Sequence, residues 1–218
     1  MKKSVRNFCI AAGFFIAFAV WTLAVCLLDV RPIGPCGSLV GMARLNGAFH
    51  AFTGVHMGLY ILTDWLGLIP IAVALCFAVL GLYQWIKRKR LCRVDASLFL
   101  LGGFYILVFA VYLLFEFAVI NRRPVLIDGY LEASYPSSTT LLALCILPSA
   151  MLQLQWRIGN AVWRRIMLTL LTFLTAFLVI GRLVCGVHWL SDIIGGVLLS
   201  AALLWLYVAF CNLLAPKA

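Results

Sequence analysis

Polar residues that could carry out chemistry are concentrated in two short segments between long apolar runs. The second segment reads Gly181-Arg182, five further residues, His188, three further residues and Asp192. The spacing of i, i+4 predicts that His188 and Asp192 share one helix face within hydrogen-bonding reach. A carboxylate at that distance can hold one ring nitrogen as N–H and leave the other free to attack. This is the arrangement that a histidine nucleophile requires.

The first segment adds groups that suit a phosphoryl anion. It contains Asn121-Arg122-Arg123-Pro124 and, further on, Tyr135-Pro136-Ser137-Ser138-Thr139-Thr140. The guanidinium groups of Arg123 and Arg182 offer forked donors to phosphoryl oxygens. The hydroxyl run precedes an apolar stretch, so we expect Ser137 to Thr140 to cap a helix and to form an anion cradle at its N-terminus. The two segments together favour phosphoryl transfer.

The composition defines the kind of chain that must position these residues. Of 218 residues, 65% are hydrophobic and 11% charged, whereas soluble domains are about 45–50% apolar and about 25% charged. This excludes a soluble globular domain, a disordered chain, a collagen-like repeat and a nucleic-acid-binding tail. The sequence predicts an all-α, polytopic membrane protein.

A membrane-spanning helix needs about 20 apolar residues, and six runs qualify. They form one predicted domain over residues 1–218, with the active site on the extracytoplasmic side. The moderately apolar segment from Met42 to Asp64, which contains Arg44, His50 and His56, is predicted as a separate re-entrant or interfacial helix. The predicted spans are Phe8 to Leu28, Trp65 to Ile86, Ala96 to Phe115, Thr139 to Trp156, Ile166 to Ile180 and Ile193 to Leu214.

Basic residues predict the orientation of these spans. Twelve of the 17 Lys and Arg residues, Lys217 among them, fall at the chain ends and in the loops after the second and fourth spans. The other five fall in the remaining loops or at their edges. The positive-inside rule therefore predicts that both termini are cytoplasmic. The N-terminal run is long and lacks a convincing cleavage site, so we interpret it as an uncleaved first span.

Cysteine and glycine contribute little chemistry. The eight cysteines show no CxxC pair and no metal-ligand spacing, so no metal or other cofactor is predicted. Most cysteines are expected to be small core residues. Only Cys36 and Cys185 fall in predicted outer segments, where one disulfide is an alternative. The pairs Gly102-Gly103 and Gly195-Gly196 are expected to allow close helix packing.

Arg-Pro, Pro-Ser and Arg-x5-His-x3-Asp over the loops of a six-span protein resemble the type 2 phosphatidic acid phosphatase superfamily. In that family the motifs read Lys-x6-Arg-Pro, Pro-Ser-Gly-His and Ser-Arg-x5-His-x3-Asp. The resemblance implies that His188 becomes phosphohistidine and that Asp192 orients it. It also implies that Arg123, Ser137 and Arg182 bind the phosphoryl group, with Arg122, Ser138 and Thr139 as further substrate-binding candidates.

The sequence departs from these motifs at four positions. Glu116 takes the place of the lysine, Ser138 that of the glycine, and Gly181 that of the serine in the third motif. Thr139 replaces the histidine that is thought to protonate the leaving oxygen. Arg122 either replaces the charge of the missing lysine or pairs with Glu116.

Threonine is no acid near neutral pH, so the leaving group should need no proton. When an alkoxide leaves, its conjugate acid has a pKa near that of water, about 15.7. When a phosphate monoester leaves, the corresponding pKa is about 6. We therefore expect hydrolysis of a polyprenyl diphosphate of the undecaprenyl type to the monophosphate.

Other functions stay open at this point. They are a phosphatidate or phosphatidylglycerophosphate phosphatase, a lipid phosphotransferase, and a catalytically silent lipid-binding membrane protein. An ion-coupled transporter would place acidic or other charged residues in the middle of its spans. It is disfavoured because the first and third spans carry none there. The expected partners are a lipid phosphate or diphosphate and membrane lipids, with no nucleic acid. The expected location is the bacterial cytoplasmic membrane.

Overall fold

The computed structural model describes residues 2–214, and within them the regular structure is helical, without strands. The predicted all-α fold is therefore confirmed, while Lys217 lies outside the described residues. Two short 3₁₀ turns, Pro35–Gly37 and Leu91–Arg93, join longer helices. The α-helices in this range are α1 (Lys2–Leu27), α2 (Ala43–Thr53), α3 (Met57–Leu66), α4 (Leu68–Arg88), α5 (Ala96–Phe117), α6 (Ser138–Arg157), α7 (Ala161–Val184) and α8 (Leu190–Leu214).

Six helical stretches in these residues are long and apolar enough to cross a membrane, as predicted. The second begins earlier than expected, because α3 and α4 form one stretch over Met57–Arg88. The Gly67 amide connects them by donating to the carbonyls of Thr63 and Asp64. The prediction of one separate helix from Met42 to Asp64 is thus wrong. Asp64, whose charge argued against a span, is neutralised by an ion pair with Arg182.

The fifth span is also longer than its uncharged run. Helix α7 begins at Ala161, where the Asn160 side chain accepts the backbone N–H groups of Val162 and Trp163 at 2.9 and 3.1 Å. This N-cap starts the helix ahead of Arg164 and Arg165. Its 24 residues are long enough to span a bilayer.

The bundle has two different ends, because α1 and α8 run antiparallel. The Ser4 hydroxyl donates to the Ala209 carbonyl at the start of α1, and the Trp21 indole N–H donates to the Ser191 carbonyl near its end. Both ends of the described chain therefore lie at one end of the bundle. The loops after α1, α5 and α7 lie at the other. Helices α6 and α8 are central in the bundle. Half of the residues in the most apolar stretch of each are buried, compared with at most 22% in the other four spans.

Asp95 joins three helices at the end that carries the chain ends. Its carboxylate accepts from Gln84 at 2.8 Å, from Arg88 at 2.9 Å and from Arg157 at 3.1 Å. The hydrogen bond from Gln84, followed by that from Arg88, lowers the pKa of Asp95 to about 2. The charged cluster ties α4, α5 and α6 together beside the basic run 87–93.

Two expectations about small residues need correction. A Cβ at Gly195 would lie 2.6 Å from the Tyr135 ring, so this glycine does serve close packing, but Gly102 and Gly103 border open space. Most cysteines are not core residues, because only Cys145 and Cys185 are buried and one other is partly so. Apolar helix faces in a membrane protein contact lipid as well as each other. All eight cysteines are free.

Candidate active site

His188 lies in the turn between α7 and α8, before the helix begins. The turn depends on Gly186, which has a φ of 72° and would place a Cβ 1.9 Å from the Gly54 carbonyl oxygen. The chain between α2 and α3 fixes it, since the His56 amide donates to the Cys185 carbonyl at 2.9 Å. The prediction that His188 and Asp192 share a helix face is therefore wrong, because α8 starts at Leu190.

The imidazole of His188 is buried, with 4% of its surface exposed. Its Nε2 lies 3.3 Å from a terminal guanidinium nitrogen of Arg123. Burial, and next the charge of Arg123, lower the pKa of His188 to about 4 against the opposing effect of Asp192. The ring is therefore neutral at physiological pH, and a neutral nitrogen retains the lone pair that a nucleophile needs.

Asp192 is fully buried in the first turn of α8. Its Oδ2 accepts the Trp189 amide at 2.9 Å, and its Oδ1 lies 3.3 Å from the Asn121 side-chain nitrogen. The same Oδ2 is 3.8 Å from His188 Nδ1, which is too long for a hydrogen bond. The predicted pair is thus adjacent without being bonded, because Asp192 is also used to cap its own helix.

Arg123 and Arg122 point in different directions. Arg123 Nε is 2.9 Å from Glu132 Oε2, an ion pair without hydrogen-bond geometry, so this buried N–H has no hydrogen-bond partner. Arg122 is exposed and donates to the Leu131 carbonyl at 2.9 Å. The structure brings Arg123 to His188. It leaves the Arg122 guanidinium outside the cluster, bonded to Leu131 and not to Glu116, the pairing that was one of the two alternatives.

Arg182 approaches from the last turn of α7. It is 1% exposed and donates to Asp64 Oδ1 at 2.6 Å. Its guanidinium carbon lies 4.8 Å from the centre of the Tyr60 ring, and that of Arg123 lies 5.9 Å from the same ring. The Nε of Arg182 is buried and has no hydrogen-bond partner. Two cations thus lie within 6 Å of the centre of one aromatic ring.

The hydroxyl run lies at the start of α6, as expected, but the Ser137 hydroxyl does not cap the helix. Ser137 is buried at the N-cap position without a side-chain bond to the backbone; its Oγ accepts the Thr140 hydroxyl at 3.1 Å. Its amide donates to the Asp192 carbonyl. Ser138 lines a small cleft with Arg123 and His188. The Thr139 methyl lies 3.4 Å from the position of a Cβ on Gly67.

The cleft beside His188 is narrow, with a volume of about 20 Å³. Two acidic residues, Glu116 on its wall and Glu132 at Arg123, bring negative charge to it. Within residues 2–214 no three His, Cys, Asp or Glu side chains are grouped closely enough to hold a metal ion. The lining residues are Tyr112, Phe115, Glu116, Arg123, Ala133, Ser134, Tyr135, Pro136, Ser138, Leu141 and His188.

Sequence reasoning missed four residues of this cluster. Asn121 was noted only as a neighbour of the arginines, although its amide links Asp192 to Gly41. No motif or spacing in the sequence pointed to Glu132. Tyr60 and Asp64 are spaced i, i+4 and so share a helix face. This spacing is the signal that could have found them, since Asp64 pairs with Arg182 and Tyr60 lies beside the same guanidinium.

Comparison with known proteins agrees with the fold and the motifs. The profile of the PAP2 superfamily matches residues 103–214, so the chain belongs to this superfamily. No curated protein matches the sequence. A crystal structure of a transmembrane PAP2-type phosphatidylglycerolphosphate phosphatase from Bacillus subtilis superposes with a TM-score of 0.63 at 17% identity. The alignment covers 96% of this chain and 99% of that one. The protein is thus an integral membrane protein with the transmembrane PAP2 fold.

Proposed function

We propose that this chain is a metal-independent lipid phosphatase in which His188 forms a phosphohistidine intermediate. One observation carries the proposal. The buried Nε–H donors of Arg123 and Arg182 have no hydrogen-bond partner, and a buried neutral histidine lies beside them. Unpaired buried donors are rare and call for an explanation. A phosphoryl anion would satisfy both, and the guanidinium charges would stabilise its transition state.

The reaction proceeds in two balanced steps. His188 Nε2 forms a P–N bond as the bridging P–O bond breaks, and the leaving group takes the bond's electron pair. Nδ1 keeps its proton, so positive charge develops on the ring beside Asp192. A water molecule then attacks phosphorus, the P–N electron pair returns to Nε2, and phosphate leaves as H2PO4−, which carries both protons of the water. Apo contacts such as the 3.8 Å separation commonly shorten when charge develops.

Thr139 supports a diphosphate as the substrate. A general acid contributes about 10²- to 10⁴-fold when the leaving group needs a proton. The threonine methyl faces Gly67 and offers no proton to a leaving oxygen. A polyprenyl diphosphate releases a lipid monophosphate, which leaves without protonation. We therefore propose an undecaprenyl-type diphosphate as substrate and the terminal phosphoryl group as the one transferred.

A second candidate substrate is a phosphatidylglycerophosphate. The observation that favours it is the similar fold of the Bacillus subtilis enzyme, which is named for that lipid. With this substrate an alkoxide leaves, so another group must replace the missing histidine. The two candidates therefore differ in whether the site needs an acid.

The topology belongs to the same proposal. We infer a single domain over residues 1–218 in the bacterial cytoplasmic membrane, with His188 on the outer face and both termini in the cytoplasm. The basic run 87–93 supports this orientation, because it belongs to the end of the bundle opposite His188.

Phosphate release by the purified protein in EDTA tests the proposal. The substrates are undecaprenyl diphosphate, phosphatidylglycerophosphate and phosphatidic acid, each with His188→Ala as the blank. The matched control is His56→Ala, which removes an exposed imidazole outside the cleft and leaves the backbone amide that donates to Cys185 in place. We expect diphosphate turnover at least about 10²-fold above monoester turnover, since only the monoesters lack their general acid. Equal turnover of all three would contradict the diphosphate preference, and turnover surviving in His188→Ala would contradict the nucleophile.

A further inference from the structure

Helix α3 lies against the two arginines that the proposed function assigns to the phosphoryl group. We propose that Tyr60 and Asp64, on one face of α3, are positioning residues that hold Arg182 and Arg123 in place for that anion. The inference rests on the proposed function and extends it to a segment outside the phosphatase motifs. It begins with the charge of Arg182.

Arg182 needs a partner because its side chain is 1% exposed. A buried guanidinium without a counter-charge is strongly unfavourable. Asp64 supplies that charge at 2.6 Å from one terminal nitrogen, and although its own side chain is 61% exposed, its partner is the buried cation. The bond holds one terminal nitrogen of the group, while the buried Nε–H has no partner. Asp64 thus orients the donor that we assign to a phosphoryl oxygen.

Tyr60 controls the spacing of the two cations. Both guanidinium carbons lie within 6 Å of its ring centre, the range of cation–π attraction. Arg123 and Arg182 repel each other before an anion arrives. A ring that attracts both groups holds the two guanidinium groups near each other. Tyr60 and Asp64 are one helical turn apart, so a single face of α3 contacts both arginines.

Gly181 explains why α3 can come so close to α7. A Cβ at this position would lie 2.5 Å from the Thr63 methyl, closer than any side chain tolerates. The third phosphatase motif has serine here. The loss of that serine and the approach of α3 therefore belong together, because the space of its side chain is occupied by Thr63. Helix α3 brings Asp64 to Arg182 through this contact.

The experiment measures anion binding separately from turnover. The variants are Asp64→Ala, Asp64→Asn, Tyr60→Leu and Tyr60→Phe in the full chain. The control is Asp128→Asn, an exposed acid in the loop after α5 where positive φ suits asparagine. Affinity for inorganic orthovanadate, a phosphate analogue, is measured from the shift in thermal unfolding temperature. Then kcat, KM and the pH profile are measured with the diphosphate.

Asp64→Ala and Tyr60→Leu are expected to weaken vanadate binding and to raise KM by about 10- to 100-fold through misplaced arginines. Asp64→Asn, which keeps an acceptor, and Tyr60→Phe, which keeps the ring, should each lose less than their truncated counterparts. Asp128→Asn should match the wild type. A merely structural role would lower the unfolding temperature and leave vanadate affinity unchanged, and this would overturn the inference.

Two further results separate this inference from the proposed function. If the wild type binds vanadate but cleaves no lipid, the proposed function fails, and the vanadate affinities still decide the role of α3. A wild type that binds no vanadate overturns both. If Asp64→Asn abolishes the alkaline limb of the pH profile with binding intact, Asp64 is a proton donor and the positioning role is wrong.

Discussion

Burial, more than its neighbouring carboxylate, decides the charge state of His188. An exposed histidine beside an aspartate would be expected to gain protons more easily than usual. Here desolvation and the Arg123 charge outweigh Asp192 and lower the pKa of His188 to about 4. Asp192 is engaged by Trp189 and Asn121 instead. As the proposed nucleophile, His188 therefore needs no general base at neutral pH.

A direct prediction concerns the titration of this ring. The NMR signal of the histidine that disappears in His188→Ala should stay in its neutral form as the pH falls from 8 to 5 and change only near pH 4. Because the unfolded chain takes up this proton near pH 6.5, the free energy of unfolding should fall as the pH drops from 6.5 towards 4. A midpoint near 6.5 in the folded protein would contradict the buried environment.

Glu132 is predicted to compete with the substrate for Arg123. Its carboxylate lies 2.9 Å from Arg123 Nε and is 43% exposed. Because ion pairs with exposed partners contribute little, Glu132→Gln should lower KM for the diphosphate only by about two- to fivefold. Steady-state kinetics on Glu132→Gln beside Asp128→Asn would measure this. A higher KM in Glu132→Gln alone would show that Glu132 assists binding.

The central helices position the site through two adjacent glycines of α8. Gly195 accommodates the Tyr135 ring and Gly196 the Thr140 side chain. Tyr135 in turn bonds to Thr22 of α1 at 2.6 Å and stacks near Phe18. The segment before α6 is thereby fixed between α1 and α8. This contact fixes the positions of Ser137, Ser138 and the cleft.

Gly195→Ala should therefore destabilise the protein. The new methyl would lie 2.6 Å from the Tyr135 ring, and overpacking of this kind costs about 1–3 kcal/mol. The matched control is Gly103→Ala on α5, where nothing lies within 4 Å. Removing a helical glycine there should stabilise by about 0.5–1 kcal/mol. Thermal unfolding in detergent would compare them, and equal stability of the two variants would refute the packing role of Gly195.

The two ends of the bundle differ in charge and in chemistry. Basic residues cluster near Asp95 and the chain ends, whereas His188 and its arginines lie at the opposite end. The proposed orientation exposes the second end to the outside. Two native cysteines mark these ends, since Cys36 follows α1 and Cys92 follows α4, and both are exposed.

Labelling these cysteines tests the orientation. In intact bacteria, a membrane-impermeant maleimide should react with a variant that retains only Cys36. It should not react with one that retains only Cys92 until the cells are permeabilised. The positive-inside rule predicts this orientation from the charges of the loops. The reverse labelling pattern would place the cleft in the cytoplasm.

Local features determined which parts of the molecule could be predicted. Apolar runs such as Ala96 to Phe115 predicted spans within a few residues, because a helix in lipid must satisfy its backbone hydrogen bonds within the segment. The helix starting near Thr139 followed from the hydroxyl run ahead of an apolar stretch, although the Ser137 side chain makes no capping bond. The second span was misplaced at its start, since the pairing of Asp64 with Arg182 joins residues on different helices.

The sequence by itself determined the membrane class, the number of spans and the set of motif residues around His188, because these depend on composition and on spacing along the chain. Only the tertiary structure decided that Arg123 contacts His188 while Arg122 turns away, and that α3 contributes Tyr60 and Asp64. Contacts between remote segments and the burial that lowers a pKa arise from packing. Neither is encoded in any one stretch of residues.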